Sequence, residues 1–240
     1  MSEVFNNLSV IIPFIKDDVL WKDLLQDLKP LPHDAEIILV GPDAPDDGIF
    51  KKATEALIAQ VRYVPSLKGR AVQQNTGVRA SKKKFLWFLH ADTKVPRPSL
   101  FMLEKELQSK PDSLHFFNLH FLADGPKLVG LNSLGANLRT RYLKMPFGDQ
   151  GFALSRHVFY RIGGFNERKT VGEDHAFVWE ARRKRVPLNC VKGSLFTSAR
   201  RYEWEGWAHL TGKRVWLTSQ MTSVEIVKLM KQRLFEFVES

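Results

Sequence analysis

The sequence predicts an α/β domain built on a mixed, mostly parallel sheet with helices on both faces. Three observations carry that expectation. Short apolar runs alternate with helix-spaced segments through about residue 110, the pattern of a parallel sheet with crossover helices. Polar residues collect just after those runs, and such sheets bind ligands beyond the carboxyl ends of their strands. The 240 residues, 44% hydrophobic and 26% charged, supply one large core and contain no repeat or low-complexity linker.

The first strand is expected at "LSVIIP" (8–13), a short β-branched run stopped by Pro. Residues 18–29 carry Val19, Leu20, Leu24, Leu25 and Leu28 at helical spacing. "AEIILV" (35–40) is a second strand, ended by "GPDAPDDG". A helix over 48–60 and a strand at 61–64 follow, then a loop feeding a helix in 69–81. "KFLWFL" (84–89) is the next strand, and 97–110 a helix with Pro near its start.

The second half is less regular. Residues 114–121 alternate like a strand with one wetter face, and 127–143 form an amphipathic helix. Residues 148–165 read as loop, short strand, short helix and Gly turn. The segment 173–185 is a helix with acids first and bases last, as the helix dipole prefers. "PLNCV" and "SLFTS" are strand-like, and 223–239 is an amphipathic helix that either packs on its own domain or lies on a membrane surface.

The formal net charge of +10 favours an anionic partner: nucleotide, nucleic acid or acidic membrane. No apolar run reaches the length of a membrane span, and no secretory leader pattern opens the chain. With one cysteine, Cys190, no intrachain disulfide forms; we expect it in the core rather than as a nucleophile. His115, His120, His157, His175 and His209 have no metal-ligand spacing.

Candidate chemistry begins with "FLWFLHADTKVP" (85–96). A carboxylate at a strand's carboxyl end suits a hard divalent cation completed by substrate phosphates. His90 shares a strand face with Asp92 if the chain stays extended, and Asp92 can equally open a turn or cap the following helix. Lys68, Arg70, Gln73 and Asn75 gather at a helix start, a place suited to anions, although the segment is neither a P-loop nor a G-x-G-x-x-G turn. Glu173 and Asp174 can be a helix cap or an acid pair.

Five motifs in order, "LSVIIPFIKDD", "GRAVQQNTGVRASKKKFLWFLHADT", "FGDQGFALSRHVFYRIGGF", "GEDHAFVWEARRKR" and "TSARRYEWEG", resemble a family 2 glycosyltransferase of the GT-A fold. More narrowly, they are similar to its small bacterial branch with H-A-D-T in place of D-x-D. The resemblance spans residues 8–207. It implies a GT-A-type, Rossmann-like sheet in one catalytic domain over 1–220, with a nucleotide-sugar half (1–125), an acceptor half (126–220) and a C-terminal amphipathic helix (221–240).

It further implies inverting transfer of a sugar, a hexose by expectation, from a nucleotide-diphosphate donor, assisted by Mg²⁺ or Mn²⁺. On this resemblance Asp92 and His90 hold the metal, Asp174 is the general base, Glu173 its weaker neighbour, and Arg200 and Arg201 neutralise the leaving diphosphate. Pro13, Asp17, Asp43, Lys68, Arg70, Asn75, His90 and Asp92 contact the nucleotide sugar, and Asp149 and Gln150 face the acceptor. Two positions depart from the pattern: Gly41 stands where an Asp contacts the base, with Asp43 as its substitute, and Asp17 takes the acidic place in "PFIKDD".

The acceptor can be lipid-linked, a polysaccharide or a small molecule. A cytoplasmic location, with peripheral contact at the inner membrane face, is the matching expectation. Nucleic acid is not expected as a partner. The competing readings are a basic nucleic-acid-binding module, resting on the charge and the Trp/Tyr/Arg-rich stretch 200–216, and a GT-A protein that binds nucleotide without catalysis. A nucleotidyltransferase would need a Gly-rich basic loop after the first strand, which "PFIKDD" does not supply.

Overall fold

The computed structural model describes residues 3–15 and 19–238, with side chains through residue 231. The elements run α1 (Glu3–Asn6), β1 (Leu8–Pro13), α2 (Trp21–Asp27), β2 (Glu36–Gly41), α3 (Asp47–Thr54), β3 (Gln60–Pro65), α4 (Arg70–Ala80) and β4 (Phe85–Phe88). Then follow β5 (Thr93–Lys94), α5 (Arg97–Ser109), β6 (Leu114–Phe121), α6 (Val129–Leu143), a 3₁₀ turn at Gly148–Gln150, β7 (Ala153–Ser155) and α7 (Arg156–Ile162). The chain closes with α8 (Glu173–Arg183), β8 (Leu188–Thr197), α9 (Arg200–Glu205) and α10 (Trp207–Val238).

One eight-stranded sheet has the order β3-β2-β1-β4-β7-β6-β8-β5. The first four strands are mutually parallel, as the alternating pattern predicts. β7 runs antiparallel to both β4 and β6, and β6 and β8 are parallel. β8 combines the two strand-like pieces of the sequence into one ten-residue strand, with a register shift opposite Phe116–Asn118. Its last residues pair with β5. Only residues 89–92 separate β5 from β4, yet β5 lies at the far edge, so the sheet curls around the loop that carries His90 and Asp92.

Period-two alternation explains why both faces of this sheet are buried. Val10, Ile12, Ile37, Leu39, Phe85 and Trp87 point to one side, under α2 and α5. Ile11, Ile38, Val40, Leu86 and Phe88 point to the other, under α4, α7 and α8. At the amino ends of the strands a buried polar chain replaces apolar contact. Ser9 Oγ donates to Glu36 Oε2 at 2.7 Å, Ser81 Oγ donates to Ser9 Oγ at 2.7 Å, and the Arg156 guanidinium donates to Ser81 Oγ and to the carbonyls of Val78 and Ser81. That end is a structural staple, and the opposite end is left for chemistry.

Three local expectations change. The helix expected from residue 223 is the second half of one continuous helix, α10, which docks on α8 through Glu225: its carboxylate meets Arg183 Nη1 at 2.6 Å and Lys228 Nζ at 2.9 Å. Residues 200–205 form a short helix, α9, within the Trp/Tyr/Arg-rich stretch. Cys190 is exposed rather than in the core, because it falls on the outward phase of edge-proximal β8.

Candidate active site

The loop after β4 sets the centre of the site. Leu89 N still bonds to Ile11 O at 3.1 Å, but Thr93 N then bonds to His90 O at 3.1 Å, closing a turn over residues 90–93. The extended geometry that would put His90 and Asp92 on one strand face therefore ends at Leu89. Asp92 sits inside the turn, where Thr197 Oγ1, the last residue of β8, donates to its Oδ2 at 3.2 Å.

His90 opens the same turn. Its Nε2 is buried with no hydrogen-bond partner among the described residues. Burial first, and the nearby Arg70 charge second, hold its pKa well below the ordinary imidazole value, so the ring is neutral at physiological pH.

Asp174 lies in the first turn of α8, after Gly172, whose φ of 74° is a left-handed conformation suited to glycine. Both carboxylate oxygens accept backbone bonds, Oδ2 from Gly148 N and Oδ1 from His175 N, each at 2.7 Å. Gly148 leaves little room for a side chain: a Cβ there would stand 3.1 Å from His90 Nε2 and 3.2 Å from Asp174 Oδ2. The sequence-distant loop after β4, the 3₁₀ turn and the start of α8 thus meet at one residue without a side chain.

Asp149 follows directly. Its Oδ1 is buried without a hydrogen-bond partner among the described residues. Burial pushes its pKa up to about 6; Asp174 and Asp92 add to the rise, while Arg139 and Arg214 oppose it. Three aspartates, 92, 149 and 174, therefore share one electrostatic environment with two arginines.

Those arginines are the residues that sequence reasoning missed. Arg139, on α6, lies 3.6 Å over the Phe147 ring and donates Nε to Met145 O at 2.9 Å. Burial lowers its pKa, and the charges of Asp149 and Asp174 hold it up. Arg214, on α10, donates to the buried Tyr202 hydroxyl at 2.8 Å. Neither belongs to a motif; Arg139 is part-buried and Arg214 exposed, and only the phase of α6 and α10 brings their charges near Asp149.

Glu173 is 4% exposed and accepts from Arg70 Nη1 at 3.2 Å, tying α8 to α4. Burial, then the Asp174 charge, raise its pKa, with Arg70 opposing. Lys68 stays exposed on the loop after β3. Arg200 contacts Ser198 Oγ at 3.1 Å and Asp124 Oδ2 at 3.9 Å, and Arg201 pairs with Glu205; both are exposed, just beyond the strand end that holds Asp92.

Two expected contact residues are committed elsewhere. Gln150 is fully buried: its amide donates to Phe117 O at 2.8 Å, and its carbonyl accepts from Thr140 Oγ1 and Phe147 N at 3.0 Å each. It shapes the turn that presents Asp149 and has no polar atom left for an acceptor. Asn75 pairs with both N–H and C=O of Phe165, at 3.0 and 2.8 Å, and with Glu167 at 2.8 Å, so it anchors the loop before α8.

At the ends of β1 and β2, Pro13 leads into Phe14, whose N–H bonds to Val40 O at 2.9 Å. A Cβ on Gly41 would lie 2.8 Å from the Phe14 ring and 2.9 Å from its carbonyl oxygen, so Phe14 fills the space an aspartate would need. Phe14 meets Trp21 and Tyr63 at ring separations of 6.1 Å, and Tyr63 donates to Gly41 O at 2.9 Å. Asp43 is exposed beside Tyr63, and burial, then the Asp43 charge, raise the phenol's pKa. Asp17 lies outside the described residues.

Among the described residues no group of three or more His, Cys, Asp or Glu side chains is arranged to hold a metal ion. The donor set that remains, one carboxylate and one neutral imidazole with an unpartnered Nε2, fits a cation whose other ligands come from a diphosphate and water.

The eight-stranded, mostly parallel curled sheet with helices on both faces defines the class: the architecture is GT-A. Among solved structures, residues 1–349 of S. aureus TarS in complex with UDP-GlcNAc match with a TM-score of 0.62 and 15% identity, over 81% of this chain and 59% of that one. A mannosyltransferase from Pyrobaculum calidifontis, PcManGT, in complex with GDP-Man and Mn²⁺, matches with a TM-score of 0.60 and 18% identity, over 84% and 59%. The chain thus spans less than two thirds of either neighbour. No family model and no curated protein sequence matches it.

Proposed function

We propose that this chain is an inverting glycosyltransferase that moves a sugar, a hexose in our reading, from a nucleotide-diphosphate donor to an acceptor hydroxyl. The observation that carries the reading is the meeting of Asp174, His90 and Gly148 at the carboxyl end of β4, with Asp149 and Asp92 in the same field. The GT-A architecture shared with a mannosyltransferase bound to GDP-Man and with TarS bound to UDP-GlcNAc supports a nucleotide-sugar donor.

Asp174 is the general base. Held by two backbone amides, its carboxylate takes the acceptor proton as the hydroxyl oxygen bonds to the anomeric carbon, while the bond from that carbon to the diphosphate breaks on the opposite side. Asp149 binds the acceptor, and Arg139 and Arg214 keep the clustered carboxylates compatible. Asp92 and His90 would hold Mg²⁺ or Mn²⁺, and a cation there would supply positive charge for the departing nucleoside diphosphate. Lys68, Arg70 and the Arg200–Arg201 pair supply further positive charge to that diphosphate. Phe14, Pro13, Tyr63 and Asp43 line the base end, where the ring of Phe14 substitutes for the missing aspartate at Gly41.

The test is a panel of nucleotide sugars with and without Mn²⁺, read by thermal shift and by release of nucleoside diphosphate. A donor that binds should raise the apparent stability of the wild type. Asp92→Asn should remove the metal-dependent part of that shift. No shift and no turnover with any donor in the panel would count against the proposal.

A further inference from the structure

Two neighbouring helices each carry one arginine whose charge reaches Asp149, and each presents a row of apolar side chains to solvent. On α6 that residue is the part-buried Arg139, and Leu131, Leu134, Leu138 and Tyr142 stand outward, 44% to 72% exposed. On α10 it is Arg214, itself exposed and bonded to the Tyr202 hydroxyl at 2.8 Å, and Val215, Trp216, Ile226, Val227 and Met230 stand outward, 44% to 61% exposed. At about 100° per residue these five share one face of α10, with the small residues Gly212, Ser219 and Ser223 between them and no charge on it through residue 231. The helices are adjacent: Asn132 of α6 accepts from Trp207 Nε1 at 2.6 Å and donates to Thr211 Oγ1 at 3.0 Å.

The exposed charge on these two helices is basic. Residues 127–144 contain Lys127, Arg139, Arg141 and Lys144 and no acid. Residues 207–231 contain Lys213, Arg214, Lys228 and Lys231, and their one acid, Glu225, is 3% exposed and paired with Arg183 and Lys228. Apolar rows of this extent are uncommon on a protein surface without a partner. Among the described residues no helix is long and apolar enough to cross a membrane. A symmetric dimer through this face would set like-charged rims against each other.

We propose that the α6–α10 face docks on the surface of an anionic lipid bilayer, with the leucine and tryptophan rows in the headgroup–acyl boundary and the flanking lysines and Arg141 on the acidic headgroups. Because Arg139 and Arg214 belong to the same two helices, docking brings the Asp149–Asp174 end of the site to the membrane. If the transferase reading above is correct, the acceptor hydroxyl belongs to a membrane-borne lipid.

Co-sedimentation of the full chain with vesicles tests this. The protein should pellet with phosphatidylcholine vesicles containing about 30 mol % phosphatidylglycerol, less with phosphatidylcholine alone, and less as salt rises. Leu134→Glu combined with Trp216→Glu should weaken binding by about tenfold or more. Lys213→Glu with Lys231→Glu, which leaves the apolar rows intact, should weaken it too. Absence of binding to anionic vesicles, or equal binding by both variants, overturns the proposal. So does concentration-dependent self-association that the Leu134→Glu/Trp216→Glu variant loses without any vesicle binding by the wild type. Nucleotide-sugar binding measured without vesicles reports on the transferase reading separately, so either can fail while the other stands.

Discussion

Both carboxylate oxygens of Asp174 accept backbone N–H bonds, so Asp174→Asn removes the base and leaves one of the two amides without an acceptor. Asp174→Asn should lower transfer by about 10² to 10⁴-fold, the range for loss of a general base, while donor binding by thermal shift persists. Gly148→Ala tests the same point from the backbone. Its Cβ would crowd His90 Nε2 and Asp174 Oδ2, so kcat should fall in a protein whose stability drops by only about 1 to 3 kcal/mol. Asp149 should leave its mark on pH dependence. With its pKa raised to about 6, it is protonated below that value, and its ionisation should produce a limb near pH 6 in the kcat/KM profile that Asp149→Asn removes. Asp92, Asp174 and Asp149 stand out in the sequence because each lies in a motif or at a strand end. Gln150 was misread because a Gly-Asp-Gln-Gly run looks like an exposed turn, and nothing local signals that Thr140 and Phe117 will cover the glutamine. Arg139 and Arg214 were invisible for the complementary reason: their roles depend on the phase of the helix that carries each.

Among the elements, the parallel half of the sheet was readable because each strand is a compact β-branched run bounded by turn residues, and its crossover helices carry an apolar stripe. β7 was harder to place, since three residues cannot establish an alternation; its antiparallel pairing with β4 comes from the chain re-entering the sheet after α6. The β6–β8 pair holds a pH-sensitive contact remote from the site. His115 is fully buried, donating Nε2–H to Lys110 O at 3.0 Å and accepting at Nδ1 from Asn189 at 3.0 Å, and burial lowers its pKa to about 4. The unfolded chain takes up the proton near pH 6.5, so the stability this neutral ring contributes is complete above that pH and is lost as pH falls towards 4. The loss is at most about 3.5 kcal/mol, from roughly 2.5 pH units at about 1.4 kcal/mol each. Chemical denaturation of the wild type should show this decline between pH 6.5 and 4, and His115→Gln should flatten it. At the opposite end of the strands, Arg156→Ala would leave the Ser81 hydroxyl and the carbonyls of Val78 and Ser81 without their donor. It should cost about 1 to 3 kcal/mol in the same assay without altering donor affinity.

At the scale of the molecule, the curl of the sheet makes the site. β8 crosses back to β5, so Thr197 reaches Asp92, and the 3₁₀ turn and α8 close over the loop that β4 began. Alternation of strands and helices foretold the class of fold; the curl was not legible, because it depends on a bulge in β6–β8 pairing and on a two-residue strand too short to carry a pattern. The central claim is that this curl assembles a metal-assisted nucleotide-sugar site around Asp92, and titration calorimetry of the wild type and Asp92→Asn with UDP and GDP, each with and without Mn²⁺, tests it most directly. Wild type should bind at least one of the two nucleotides, more tightly by about tenfold or more with Mn²⁺, and Asp92→Asn should lose that enhancement. Failure of the wild type to bind either nucleotide, or an Mn²⁺ enhancement that survives in Asp92→Asn, would contradict it.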